Sequence, residues 1–117
     1  MVGPGYPSKI IYVDIDETIC WYSGTRDYEK AQPLDSRIKL VNEMYDSGHT
    51  IVYWTARGTT TGIDWSELTK KQLKSWGARY HELKMNHKPH YDLLICDKAI
   101  NSDNFFNSYR TLGEENV

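Results

Sequence analysis

The stretch KIIYV at residues 9–13, followed at once by DIDET at residues 14–18, decides the fold of this chain. Its apolar residues are β-branched or aromatic and show no polar alternation, a pattern typical of a strand buried on both faces of a parallel sheet. The strand then ends abruptly in two carboxylates, Asp14 and Asp16. The sequence therefore predicts a buried strand whose carboxyl end carries ionisable groups.

The rest of the chain alternates apolar runs with segments that have helical spacing of apolar residues. The predicted elements are a helix over 33–48, a strand over 50–54, a helix over 64–77, a weak strand over 80–83, a strand over 92–96 and a helix from Phe105. This order predicts an α/β fold, a three-layer Rossmann-like arrangement with a central, mostly parallel sheet. In such sheets ligands bind beyond the carboxyl ends of the strands.

Length and composition exclude several classes of protein. The 117 residues are predicted to form a single domain over 1–117, in which residues 1–8 are a loose arm. The formal net charge of −2 argues against nucleic acid as a partner, because general nucleic-acid binders carry a basic excess. No apolar run is long enough to cross a membrane, and the start lacks a secretory pattern. Two cysteines, Cys20 and Cys96, in no paired motif favour a reduced, cytoplasmic location.

Three aspartates at predicted strand ends are the strongest chemical signal. In an extended chain Asp14 and Asp16 point the same way, so their carboxylates enter one small volume. Two carboxylates that close repel each other unless a cation or a shared proton relieves them. Asp97, at the end of the strand predicted over 92–96, adds a third oxygen ligand, and such a set suits Mg²⁺. The alternative is that these aspartates only cap strand ends and turns.

The order of the motifs resembles that of the haloacid dehalogenase (HAD) superfamily. Asp14-Ile15-Asp16-Glu17-Thr18 after the first strand looks like its first motif, DxDxT. Thr55, Lys88 and Asp97 match the second, third and fourth motifs in order. The resemblance covers roughly residues 9–106, and the stretch that begins at Lys88 is also similar to the small capsule-biosynthesis phosphatases of that superfamily.

This resemblance implies a covalent mechanism for the hydrolysis of a phosphate ester. Asp14 would attack phosphorus to form an aspartyl-phosphate, while Asp16 would protonate the leaving oxygen and then deprotonate the hydrolytic water. Thr55 would hydrogen-bond a phosphoryl oxygen, and Lys88 would balance the charge that grows in the transition state. Mg²⁺ would be held by Asp14, by the backbone carbonyl of Asp16 and by Asp97.

Two positions leave alternatives open. Many relatives have a second acid in the fourth motif where this chain has Cys96, and a thiol is a poor ligand for Mg²⁺. Asp103 is the alternative source of a carboxylate there. For the lysine of the third motif, Lys84 and Lys98 are alternatives to Lys88, because both lie nearby in the sequence.

The loops that would shape a substrate pocket are short. About 16 residues separate the first motif from the first helix, and eight separate Thr55 from the second helix. Neither segment holds a cap domain, so a capless core with a short flap over 19–30 is predicted. Trp21 in the flap and Arg57 in the second loop are the predicted contacts for a phosphorylated sugar or base. Packing against the core or a neighbouring subunit is the alternative, and a homo-oligomer that closes the site is a hypothesis.

The sequence therefore predicts a Mg²⁺-dependent phosphomonoester hydrolase that acts through an aspartyl-phosphate on a small phosphorylated substrate. A phosphorylated sugar or related metabolite, as in polysaccharide biosynthesis, is the expected substrate class. A nucleotide or polynucleotide-end phosphatase is the alternative enzyme, since an open, capless site also admits those substrates. A non-catalytic phosphate-binding module is the third hypothesis, and Cys96 is its one support.

Overall fold

A parallel sheet, a short antiparallel ladder and three helices make up the fold in a computed structural model that describes residues 8–86, 88–89 and 91–115. The predicted loose arm falls almost entirely on residues 1–7, which lie outside the described residues. The strands are β1 (Ile10–Asp14), β2 (Cys20–Trp21), β3 (Gln32–Pro33), β4 (Thr50–Thr55) and β5 (Glu82–Met85). The helices are α1 (Asp35–Asp46), α2 (Ser66–Ser75) and α3 (Ser102–Glu115).

The main sheet is parallel throughout, with the strand order β1-β4-β5. The sequence prediction of a mixed α/β fold built on a parallel sheet is confirmed. Strands β1 and β4 lie within one residue of their predicted positions, whereas β5 begins two residues later than expected. Helices α1 and α2 form within their predicted ranges, and α3 begins at Ser102, three residues earlier than expected.

The main hydrophobic cluster lies on one face of this sheet. Residues paired across parallel strands share a face, so Val13 and its partner Tyr53 point to the same side. Helices α1, α2 and α3 all contribute to the cluster on that side, through Val41, Leu73 and Phe106 respectively. Full burial of an aliphatic side chain of this size stabilises a fold by about 1.5–3 kcal/mol, so this shared cluster holds the helices against the strands.

The opposite face of the sheet carries the nucleophile candidate. Asp14 is paired with Trp54, and Trp54 with Lys84, so the three side chains share that face. Tyr12 meets Trp54 edge-on there at 5.3 Å between ring centroids, and it stays largely exposed. The two-sided burial that the sequence predicted for β1 is therefore incomplete.

A tight turn after β1 leads into the flap predicted over 19–30. The carbonyl of Ile15 accepts hydrogen bonds from the amides of Thr18 and Ile19, and Glu17 adopts a left-handed conformation with a φ of 61°. The flap then holds β2 and a 3₁₀ turn over Tyr28–Lys30, and the chain returns along β3. This fold-back keeps the flap close to the carboxyl end of β1.

The prediction of a strand over 92–96 is wrong, because the structure forms no strand there. Leu93 and Ile95 are 76% and 90% exposed, and the segment joins neither sheet. A groove of about 850 Å³, lined by β1 on one side and by Leu94 and Cys96 on the other, separates the segment from the free edge of β1. Apolar sequence alone does not make a strand without a backbone partner. Among the described helices, none is long and apolar enough to cross a membrane.

Candidate functional site

The carboxyl ends of β1 and β4 lie side by side and present two of the predicted site residues. Asp14 is the last residue of β1 and Thr55 is the last residue of β4. Arg57 follows two residues after Thr55, and Lys88 follows three residues after the end of β5. Parallel pairing therefore places all four residues at one edge of the sheet, where α/β proteins bind their ligands.

Asp14 forms an ion pair with Lys88. The ammonium Nζ of Lys88 lies 2.6 Å from Oδ1 of Asp14. No described hydrogen bond of good geometry reaches this buried oxygen, so the contact is one of charge, which compensates the carboxylate. The Asp14 side chain as a whole is 36% exposed although Oδ1 itself is not. Its accessible part therefore lies away from Lys88, toward solvent.

Among the three candidate lysines, Lys88 is the one that the structure brings to Asp14. Its Nζ also lies over the rings of Trp54 and Tyr91, at 5.7 and 5.5 Å from their centroids. Lys84 instead lies over the ring of Tyr12, and Lys98 is exposed. The structure therefore places Lys88 beside the nucleophile candidate, and its predicted role in balancing charge stays a prediction.

Asp16 is held by a different set of partners. Both of its carboxylate oxygens accept from Nε of Arg57, at 3.2 and 3.1 Å, and Oδ1 also accepts from NH2 at 2.8 Å. The hydroxyl of Tyr22 donates a short hydrogen bond to the same Oδ1. Thr55 Oγ1 lies 3.4 Å from Oδ2. Each of the two carboxylates, Asp14 and Asp16, thus has its own basic partner, which relieves the repulsion expected between them.

Burial and hydrogen bonding act in opposite directions on the pKa of Asp16. Burial disfavours the charged form, but the hydrogen bonds and charge of Arg57, with the hydrogen bond from Tyr22, outweigh it and lower the pKa. Burial is the largest cause that raises the pKa of Tyr22, and its hydrogen bond to Asp16 adds to it. Tyr22 therefore stays a donor, and Asp16 is an acceptor in the free protein.

The expectation that Arg57 contacts substrate requires correction. Its residue is 1% exposed, and its guanidinium is enclosed by other side chains. Beyond Asp16, NH1 donates to Thr69 Oγ1 at 3.0 Å and to Gln72 Oε1 at 2.6 Å, and NH2 donates to Tyr22. Because no face of the guanidinium is open, Arg57 acts on the site through Asp16.

Thr55 takes part in the same cluster. Its Oγ1 accepts from the amide of Arg57 at 3.1 Å, which fixes the loop after β4. The residue is 3% exposed, and its hydroxyl faces Asp16. Its predicted hydrogen bond to a phosphoryl oxygen stays a prediction.

The flap contributes two tyrosines to the site, whereas Trp21 is 44% exposed. Tyr22 contacts Asp16, and the guanidinium of Arg57 lies 4.8 Å from the ring centroid of Tyr28. Sequence reasoning missed Thr69 and Gln72 of α2. Their signal was two polar residues at helical spacing beside the buried Leu73, that is, on the inner face of the helix.

The predicted metal ligands are not brought together. Asp97 is exposed just after the segment that failed to form a strand, and its Oδ1 lies 3.8 Å from Sγ of the neighbouring Cys96. Asp14 and Asp16 are paired with Lys88 and Arg57, so no group of three ligating side chains forms among the described residues. The residues in this arrangement therefore do not fit a bound Mg²⁺.

Asp103, the alternative carboxylate, is engaged elsewhere. It lies in the first turn of α3 and forms an ion pair of 2.8 Å with Arg37 of α1. This pair fastens α3 to α1, so Asp103 is a structural residue here.

A search of solved structures found a protein of the same fold. The chain is similar to a structural-genomics target from Vibrio cholerae solved by crystallography, with a TM-score of 0.73 and 23% identity. The match covers 95% of this chain and 100% of that chain. At this identity the likeness shows the fold alone. No protein-family model and no curated protein matches the chain.

Proposed function

We propose that this protein is a phosphomonoester hydrolase of the HAD type with Asp14 as its nucleophile. The observation that carries the proposal is the pair of Asp14 and Lys88 at the carboxyl end of β1. Lys88 covers one carboxylate oxygen and leaves the rest of the group open to solvent. A carboxylate with one shielded and one accessible side, charge-balanced by a lysine, suits attack on an anionic ester.

The surrounding residues supply the remaining roles. The accessible oxygen of Asp14 forms a bond to phosphorus while the bond to the ester oxygen breaks. Asp16, which is ionised in the free protein, takes up a proton from solvent when substrate binds and gives it to the leaving ester oxygen. Asp16 then accepts a proton from water as the water attacks phosphorus, which releases phosphate and restores Asp14. Lys88 offsets negative charge throughout, and Thr55 supports a phosphoryl oxygen.

We also propose a Rossmann-like fold whose parallel sheet gains a fourth strand when segment 92–96 pairs with the free edge of β1. The groove between them, the exposed Leu93 and Ile95, and the unpaired backbone of β1 support this step. Pairing in parallel would carry Asp97 to the same end of the sheet as Asp14. Mg²⁺ as a cofactor depends on this rearrangement, because carboxylates gathered there would provide oxygen ligands.

The proposed substrate is a small phosphorylated metabolite such as a sugar phosphate, in a capless site beside the exposed Trp21. Polysaccharide biosynthesis is the proposed setting, and the cytoplasm the proposed location. The net charge of −2 supports a small substrate over a nucleic acid. A homo-oligomer is the proposed assembly.

The function is tested by phosphate release from an aryl phosphate and from a panel of phosphorylated metabolites, with Mg²⁺ and with chelator. Wild type is compared with Asp14→Asn and with Asp46→Asn. Asp46 is an exposed aspartate at the end of α1 that pairs with Arg79. We expect metal-dependent turnover that Asp14→Asn abolishes and Asp46→Asn retains. Absence of turnover on every substrate, or equal turnover in Asp14→Asn, would overturn the proposal.

A further inference from the structure

The most extensively bonded polar side chain of the site is that of Arg57. It is the largest of the fully buried side chains, and its donors reach three parts of the fold. Nε and NH2 face Asp16 after β1, NH1 faces Thr69 and Gln72 of α2, and NH2 also faces Tyr22 of the flap. A buried guanidinium with this many partners has one available orientation.

This orientation fixes the direction of Asp16. Both carboxylate oxygens of Asp16 face the Nε side of the planar guanidinium of Arg57. The carboxylate therefore cannot rotate without losing a hydrogen bond to the arginine. On its other side NH1 is fastened to α2 through a 2.6 Å hydrogen bond to Gln72. Arg57 therefore links the carboxylate of Asp16, which lies in a turn, to helix α2 and restricts its movement.

The same guanidinium links Asp16 to the flap. It lies over the ring of Tyr28, whose backbone carbonyl accepts from Nε2 of Gln72 at 2.6 Å. Tyr22 completes the cluster by contacting both Asp16 and Arg57. The flap and the carboxylate are thus held by one cation.

We propose that Arg57 is a positioning residue for proton transfer: its planar guanidinium fixes the orientation of the Asp16 carboxylate. The inference rests on the proposed function, in which Asp16 handles the proton. Arg57 does not touch substrate, so its removal is expected to act on kcat and not on KM. The effect is expected to be largest for alkyl phosphates, because their poor leaving oxygen depends most on the proton.

The test is a double-mutant cycle between Arg57→Gln and Asp16→Asn, with kcat and KM measured on an alkyl and an aryl phosphate. We expect Arg57→Gln to lower kcat on the alkyl ester by about tenfold or more, which is part of the roughly 10²–10⁴-fold that proton transfer contributes. We expect it to change KM by less than about twofold. In the Asp16→Asn background the same substitution is expected to change kcat less than about twofold, because its target is gone. A purely structural role would lower kcat equally in both backgrounds.

Two further variants keep the outcome decisive. Arg79→Gln removes a comparable bidentate arginine from an exposed pair with Asp46, and it is expected to leave both constants unchanged. If Arg57→Gln does not fold, Arg57→Lys takes its place in the cycle, since it keeps the charge and loses the fork. Additive losses, or a change confined to KM, overturn the inference. Turnover absent from wild type overturns the proposed function itself, and the inference with it.

Discussion

Among single residues, the lysine next to the nucleophile candidate gives the clearest prediction. Lys88 and Lys84 both lie over aromatic rings on the same side of the sheet, but only Lys88 contacts Asp14 among these two. We expect Lys88→Met to lower kcat by about 10²-fold, the level typical of losing one charge-stabilising donor. Lys84→Met, the matched control, is expected to stay within about twofold. Steady-state phosphate release measures both, and equal losses would contradict the assignment.

The pair of Asp16 and Arg57 predicts how stability depends on pH. The pKa of Asp16 is lowered from its ordinary value of 3.8, because Arg57 and Tyr22 outweigh the effect of burial. A group with a depressed folded pKa stabilises the fold fully above its unfolded value, and this contribution is lost as the pH falls through the folded pKa.

We therefore expect the urea midpoint of wild type to fall steeply below about pH 4. Asp16→Asn has no carboxylate to protonate at this position, so its midpoint is expected to fall less over the same range. It is also expected to be less stable at pH 7, by about 3–5 kcal/mol, because it leaves the buried guanidinium of Arg57 without its counter-charge. Urea titrations at a series of pH values measure both effects, and parallel pH profiles would contradict the first.

Among the elements, strands β1 and β4 could be predicted from the sequence because each is a run of apolar, β-branched residues that pairs with the other. The run at 92–96 has the same pattern and forms no strand. An apolar pattern indicates that a segment can be buried, but it does not show with which sheet edge the segment pairs. Arg57 shows the same limit within the site. Its position in a polar loop predicted an exposed contact, but Asp16 from the turn after β1 and two residues of α2, Thr69 and Gln72, converge on it. That convergence is tertiary, and the sequence signals it only through the polar residues at helical spacing on α2.

The proposed pairing of segment 92–96 with β1 is testable by a single substitution. Ile95 is 90% exposed, so Ile95→Lys is expected to change the free energy of unfolding without Mg²⁺ by less than about 0.5 kcal/mol. If pairing buries Ile95, the same substitution is expected to lower Mg²⁺-dependent turnover and to raise the Mg²⁺ concentration needed for half-maximal activity. Ile63→Lys is the control, as Ile63 is an exposed isoleucine in the loop before α2. Unchanged metal dependence in Ile95→Lys would count against the pairing.

For the whole molecule, the exposed apolar side chains concentrate where the sheet has an unpaired edge. Ile10 on β1 is 73% exposed, and Leu93, Ile95 and Ile100 are exposed near the groove beside it. An open edge strand flanked by apolar side chains favours pairing with another chain. We expect light scattering to show self-association at micromolar concentration, and Ile10→Lys to reduce it because a charge on the edge opposes pairing. A monomer in the absence of metal, or association that Ile10→Lys leaves unchanged, would show that this edge is not the contact between copies.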